Sequence, residues 1–281
     1  MKCKIPVLLH IPKNAGSYII QILTKYFIRL KKKAFNLRVR RVTVTTRDST
    51  LTVFCHFLTD YWVSDQHMKR VAERASSCSL STFLTYLKNE QLEVLSIVVE
   101  PIGMSDIREG CFLAYKIIDL CEAEPFNFTI FRDSFSRQQS LYYYLTGDAS
   151  SHELSHHSIK ENSFIDYINS PSLEDSWLIR ILSGVKSTTK LNKYWFKIAS
   201  NFLDSNNFFI VDINDTDYAI KYVLEKCFDD PIEAIDLEQP FYNSTSAKNK
   251  ITIQDLEEGT KQKFLKHTYW DRKLWERYCG E

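Results

Sequence analysis

Lys13, Arg132, Arg137 and His56 are the side chains whose neighbours in sequence suit chemistry on an anion. Lys13 stands in the stretch Val7 to Tyr18, V-L-L-H-I-P-K-N-A-G-S-Y. The apolar run Val7-Leu8-Leu9 suits a buried strand, and Pro12 stops it because proline offers no N–H to a ladder. Lys13-Asn14-Ala15-Gly16 then reads as a tight turn. Ser17 reads as the N-cap of a helix whose apolar face starts at Ile19. The first N–H groups of a helix have no intrahelical acceptor, and the helix dipole adds positive potential there. Asn14, Ala15, Gly16, Ser17 and Tyr18, with Lys13 as a point charge, therefore read as a seat for phosphate or sulfate. The loop is not G-x-x-x-x-G-K-[ST], because its lysine precedes a single glycine.

A second stretch, Phe128 to Tyr144, again runs a hydrophobic strand into charge. Arg132 stands at the strand end, Arg137 in the first turn of the next helix and Ser140 one turn later. Two guanidiniums and a hydroxyl can hold a phosphate through charge-assisted bonds. His56 follows the strand Leu51–Cys55, and an imidazole titrating near neutrality suits a proton acceptor. His10, inside the first loop, is the alternative, with shaping the turn as its simpler role. Asp60 and Asp65 follow His56 as further candidates. His152, His156 and His157 could hold a metal if helical, but S-S-H-E-L-S-H-H-S lacks a cap and an apolar face, so no metal is expected.

Taken in order, these stretches resemble the sulfotransferases that use 3′-phosphoadenosine 5′-phosphosulfate (PAPS), closest to the carbohydrate and heparan-sulfate branch. H-I-P-K-N-A-G-S is similar to that family's 5′-phosphosulfate loop, H-I-P-K-T-A-G-T/S. R-D-S-F-S-R-Q-Q-S is similar to its 3′-phosphate site, R-D-P-x-x-R-x-x-S, with Ser134 where proline is common. The resemblance implies that Arg132 and Ser140 hold the 3′-phosphate, while Arg137 assists or pairs with Asp133. V-F-C-H-F stands where the family often has G-H-F, which would make His56 the general base, although Cys55 replaces the glycine. W-L-I-R-I-L-S-G looks like a Q-x-R-x-L-x-G segment that lies over the cofactor, and so adds Arg180. Weaker likeness continues through Ala199–Ile213 with Tyr218, Phe241–Lys250, and Trp270-Asp271 to Glu276. The implied fold is a P-loop-like three-layer α/β fold with a central, mostly parallel sheet. The implied reaction moves a sulfuryl group in line from PAPS to a hydroxyl or amine of a carbohydrate or small-molecule acceptor. It releases adenosine 3′,5′-bisphosphate (PAP) and needs no metal. Two other functions stand beside it. One is a non-catalytic nucleotide- or anion-binding protein on the same fold. The other is a P-loop-like small-molecule kinase, whose glycine-rich cradle and Mg²⁺ ligands are not visible in the sequence.

The elements that must position these residues alternate. Besides Val7–Leu9, strands are predicted at Arg38–Thr46, Leu51–Cys55, Phe126–Phe131 and Phe208–Val211, while Leu92–Val99 reads as a strand or a helix end. Helices are predicted at Ile19–Leu30, Asp65–Ala75, Ser79–Lys88, Phe135–Leu145, Ser163–Asn169, Leu173–Leu182, Lys190–Asp204, Asp215–Cys227 and from Ile253 to Tyr278. Gly147–His157 reads as a loop. The alternation predicts an α/β fold with a largely parallel sheet, as one domain over residues 1–281. A net charge of +1 gives no global field to draw nucleic acid. Lys25 to Arg47 nevertheless carries no acid. It is either a solvated helix end beside a charge-guarded edge strand, or a patch receiving an anionic cosubstrate or acceptor. Seven cysteines, an odd number with no C-x-x-C, suggest free thiols in a reducing compartment. No apolar run suits a membrane span or signal peptide, so a cytoplasmic protein is expected.

Overall fold

The computed structural model describes residues 3–33, 39–45, 49–57, 80–89, 92–102, 106–146, 163–173, 175–228 and 251–280. The first half of the described chain contains β1 (Lys4–Leu9), α1 (Gly16–Lys33), β2 (Val39–Thr45), β3 (Ser49–Phe57), α2 (Leu80–Asn89), β4 (Leu92–Pro101), α3 (Ile107–Leu120), β5 (Glu124–Phe131) and α4 (Ser134–Thr146). Then come α5 (Phe164–Asn169), α6 (Trp177–Ser183), α7 (Lys193–Ser205), β6 (Phe209–Asp212), α8 (Thr216–Cys227), α9 (Glu258–His267) and α10 (Tyr269–Cys279). The strands form one sheet in the order β2-β3-β4-β1-β5-β6. β1 pairs parallel with β4 and β5, and β5 with β6. β3 runs antiparallel to both its neighbours, so it alone opposes the other five strands.

Both faces of the sheet are covered, and β1 shows why. Side chains alternate faces along a strand. Val7 and Leu9 enter one apolar cluster with Ile107, Ile117, Trp177, Ile181, Leu203 and Leu274 of α3, α6, α7 and α10. Leu8 enters the other, with Ile19, Ile22 and Phe27 of α1 and Ile220 of α8. A central strand buried on both sides reads as a continuous apolar run, which is how V-L-L declared itself. A further cluster of Phe135, Tyr142, Phe164, Tyr167 and Phe264 joins α4, α5 and α9.

The undecided stretch at Leu92 is a strand, central and next to β1. The helix expected from Leu173 starts only at Trp177. Ser176 before it is left-handed, φ 44°, and the first turn is capped from a distance: Leu178 N and Ile179 N donate to the Asp271 carboxylate at 3.0 and 2.9 Å. The single helix expected from Ile253 is divided into a 3₁₀ turn at Ile253–Asp255, then α9 and α10. The break falls at Thr268, whose Oγ1 donates to Phe264 O at 2.9 Å. The readings at Asp65–Ala75, Gly147–His157 and Phe241–Lys250 lie outside the described residues. Among the described residues no helix is long and apolar enough to cross a membrane.

Candidate functional site

The carboxyl ends of β1, β4 and β5 bring His10, Glu100 and Arg132 side by side, where open α/β sheets seat their ligands. Two bonds pin the end of β1: His10 N donates to Val99 O at 2.8 Å, and Thr129 Oγ1 donates to Leu9 O at 2.9 Å. The chain then turns with φ positive at Lys13 (69°) and at Ala15 (60°), but not at Asn14 between them. A left-handed conformation costs a non-glycine residue roughly 1–2 kcal/mol. Alternation of the two hands is also how successive peptide N–H groups form an anion-binding concavity. Two tethers hold the turn: Asn14 Nδ2 donates to Ile130 O at 2.8 Å, and Arg132 Nη1 to Lys13 O at 3.2 Å.

Helix α1 starts at Gly16, so Ser17 is not its N-cap; it is the exposed second residue of the first turn. Ile19 N donates to Ala15 O at 3.1 Å, and the N–H groups of Gly16 and Ser17, earlier still, have no acceptor one turn back. Gly16 is required by His10. A Cβ there would stand 1.7 Å from the imidazole Cδ2, so the ring lies directly against the helix start. Tyr18 contributes only its peptide, because its hydroxyl donates to Asp217 Oδ1 of α8 at 2.9 Å.

Lys13 and Arg132 form a half-buried pair of cations. Burial first, then the Arg132 charge, bring the Lys13 pKa down to about 8. Burial likewise pushes Arg132 downward, and its Nε is buried without a hydrogen-bond partner. Among the described residues neither cation forms an ion pair with a carboxylate. The two acids that act on Arg132 are engaged elsewhere. Asp133 Oδ1 accepts from Ser136 N at 2.9 Å and caps α4, while Asp212 Oδ2 accepts from Trp275 Nε1 at 2.8 Å. Anionic groups bound at the two cations would relieve both the mutual repulsion and the orphaned Nε. The residues present therefore fit a phosphate or phosphosulfate.

Other expected ligands stand differently. Ser140 is buried on α4, eight residues beyond Arg132. Arg137, on the same helix, lies against the Trp177 ring, 4.8 Å from its centroid. Arg180 is engaged within the protein. Its Nε donates to Asp175 O, its Nη1 to Lys186 O and Thr189 O, and its Nη2 to Asp175 Oδ2, so the guanidinium is a buried clamp on the chain around α6. The His56 backbone lies away from these strand ends. In register it faces Glu93 on β4, whereas Leu9 faces Val99, six residues further along that strand. At about 3.3 Å per residue the two lie roughly 20 Å apart, at opposite poles of the sheet.

Glu100 is the residue that sequence reasoning missed. Its Oε1 lies 3.4 Å from His10 Nδ1, close but not aligned as a hydrogen bond. The signal was present: a charged residue ends the apolar run Leu95–Val99, as His10 and Arg132 end theirs. It could not be used while that run was undecided between strand and helix. Asp60, Asp65, His152, His156 and His157 lie outside the described residues, among which no three His, Cys, Asp or Glu side chains converge as metal ligands. Compared with known protein families, characterised proteins and solved structures, the chain matches none of them.

Proposed function

We propose that the chain is a sulfotransferase of P-loop-like three-layer fold that uses PAPS to modify a hydroxyl or amine of a carbohydrate or small-molecule acceptor. The observation that carries this reading is the cation pair: Lys13 and Arg132, half-buried, without a carboxylate partner among the described residues, on a left-handed loop that opens a helix. Lys13 and the peptides of residues 15–18 suit the 5′-phosphosulfate, and Arg132 with Ser140 suits the 3′-phosphate. PAPS supplies an activated sulfuryl group and leaves as PAP.

The chain's own residues then have three tasks. Lys13 meets the charge that grows on the leaving phosphate. His10 takes the acceptor proton, its Nδ1 side faced by the Glu100 carboxylate, which stabilises the imidazolium that forms. Gly16 lets that ring stand against the helix start. Among the described residues Cys111, Cys121, Cys227 and Cys279 are free thiols, which suits a reducing, cytoplasmic setting.

The test is transfer of radiolabelled sulfate from PAPS across hydroxyl and amine acceptors of the carbohydrate, small-molecule and peptide classes. Label should appear on one class and be released from PAPS only in its presence. Tight nucleotide binding with no transfer to any class would replace the enzyme with a non-catalytic nucleotide-binding protein.

A further inference from the structure

Three consecutive tyrosines end α4, and they do not share one environment. Tyr142 is buried beside Phe164 and Tyr167, and Tyr143 packs against Tyr142 and Phe164. Tyr144 instead turns its ring to Lys13, whose Nζ lies 3.9 Å from the ring centroid. Residues 140 and 144 are one helical turn apart and share a face. The ring therefore belongs to the same side of α4 as the hydroxyl assigned to the 3′-phosphate.

A cation at position 13 gains from such a neighbour. Its backbone is left-handed, its ammonium is largely removed from water, and the charge acting on it, Arg132, repels it. The face of an aromatic ring carries negative potential, and a cation within about 6 Å of the centroid is attracted to it. Among the described residues, the other charged groups near these strand ends are His10 from β1 and Glu100 from β4, which face each other, Asp133 and Arg137 after β5, and Asp212 at the end of β6. We propose that Tyr144 is a positioning residue: its ring holds the Lys13 ammonium, charged, beside the anion loop and hands it to the 5′-phosphate of the arriving nucleotide. The hand-over rests on the reading of Lys13 as the cation that meets that phosphate.

Three replacements separate ring from bulk. Tyr144→Phe keeps the ring face, Tyr144→Leu removes it, and trifluorophenylalanine in place of Tyr144 keeps the shape but drains the face of negative potential. Ionisation of Lys13 is read in ligand-free protein by competitive trace acetylation across pH, quantified on the Lys13 peptide by mass spectrometry. The midpoint should lie near 8 in the wild type and stay there in Tyr144→Phe. It should fall by roughly half a unit to one and a half units in Tyr144→Leu and in the fluorinated protein, as expected for loss of an ordinary cation–ring contact. An unmoved midpoint in the fluorinated protein overturns the proposal, and its near-native shape keeps that result valid even if Tyr144→Leu does not fold. Repeating the labelling with PAP separates the two readings. Protection of Lys13 that weakens with the ring's potential supports the hand-over. A shifted midpoint with no protection by PAP overturns the hand-over and the sulfotransferase reading together. Full protection with an unmoved midpoint overturns the role of Tyr144 alone.

Discussion

Lys13 is the residue on which pH should act. Burial and the Arg132 charge lower its pKa to about 8, so in the ligand-free protein it is charged below that pH and loses its proton above it. A dianion prefers the charged form, and its affinity should therefore fall as pH rises through about 8. Titrating PAP by calorimetry from pH 6.5 to 9.5 checks this, and Lys13→Arg, which keeps its charge throughout, should flatten the profile. Gly16 answers to His10 in the same way that Lys13 answers to Arg132. Gly16→Ala sets a methyl 1.7 Å from the imidazole, so ring or helix must move. Melting temperature and PAP affinity should both fall, and His10→Ala added to Gly16→Ala should recover the melting temperature but not turnover. The cations were legible because the pattern that marks them is local: an apolar run, a break, then charge. Glu100 obeys the same pattern and was missed only because its strand was not recognised.

Elements carry the errors that local patterns cannot repair. The apolar run ending in His56 reads correctly as a strand, and its backbone is indeed β3. What no run of residues states is direction: β3 is reversed against β4, so its carboxyl end points away from the strand ends that gather Lys13 and Arg132. His56→Ala should consequently leave kcat unchanged in a PAPS turnover assay, whereas His10→Ala should lower it about 10²–10⁴-fold. Helix α6 makes a similar point. Its cap, Asp271, comes from 93 residues downstream of Leu178, a partner no sequence window contains. Asp271→Ala would strip acceptors from two N–H groups in the first turn. The expected loss is about 1–3 kcal/mol of unfolding free energy in a urea titration, with Asp271→Asn losing less.

At the scale of the molecule, the sheet turns separate strand ends into one site. β4, β1 and β5 lie adjacent and parallel, so their carboxyl ends deliver the His10–Glu100 pair, the Lys13 loop and Arg132 to one edge. The α/β class was legible because apolar runs with period two alternate with helical ones, and β1 buried on both faces declared its central place. The most direct test of the account is whether this edge reads both phosphates of one nucleotide. Unfolding free energy is measured by urea titration with PAP and with adenosine 5′-monophosphate at equal concentration. At a hundredfold excess over its Kd, PAP should add about 2.7 kcal/mol. The monophosphate should add less, and Arg132→Ala should abolish the difference. Equal stabilisation of the wild type by both nucleotides, or stabilisation by neither, would contradict the account.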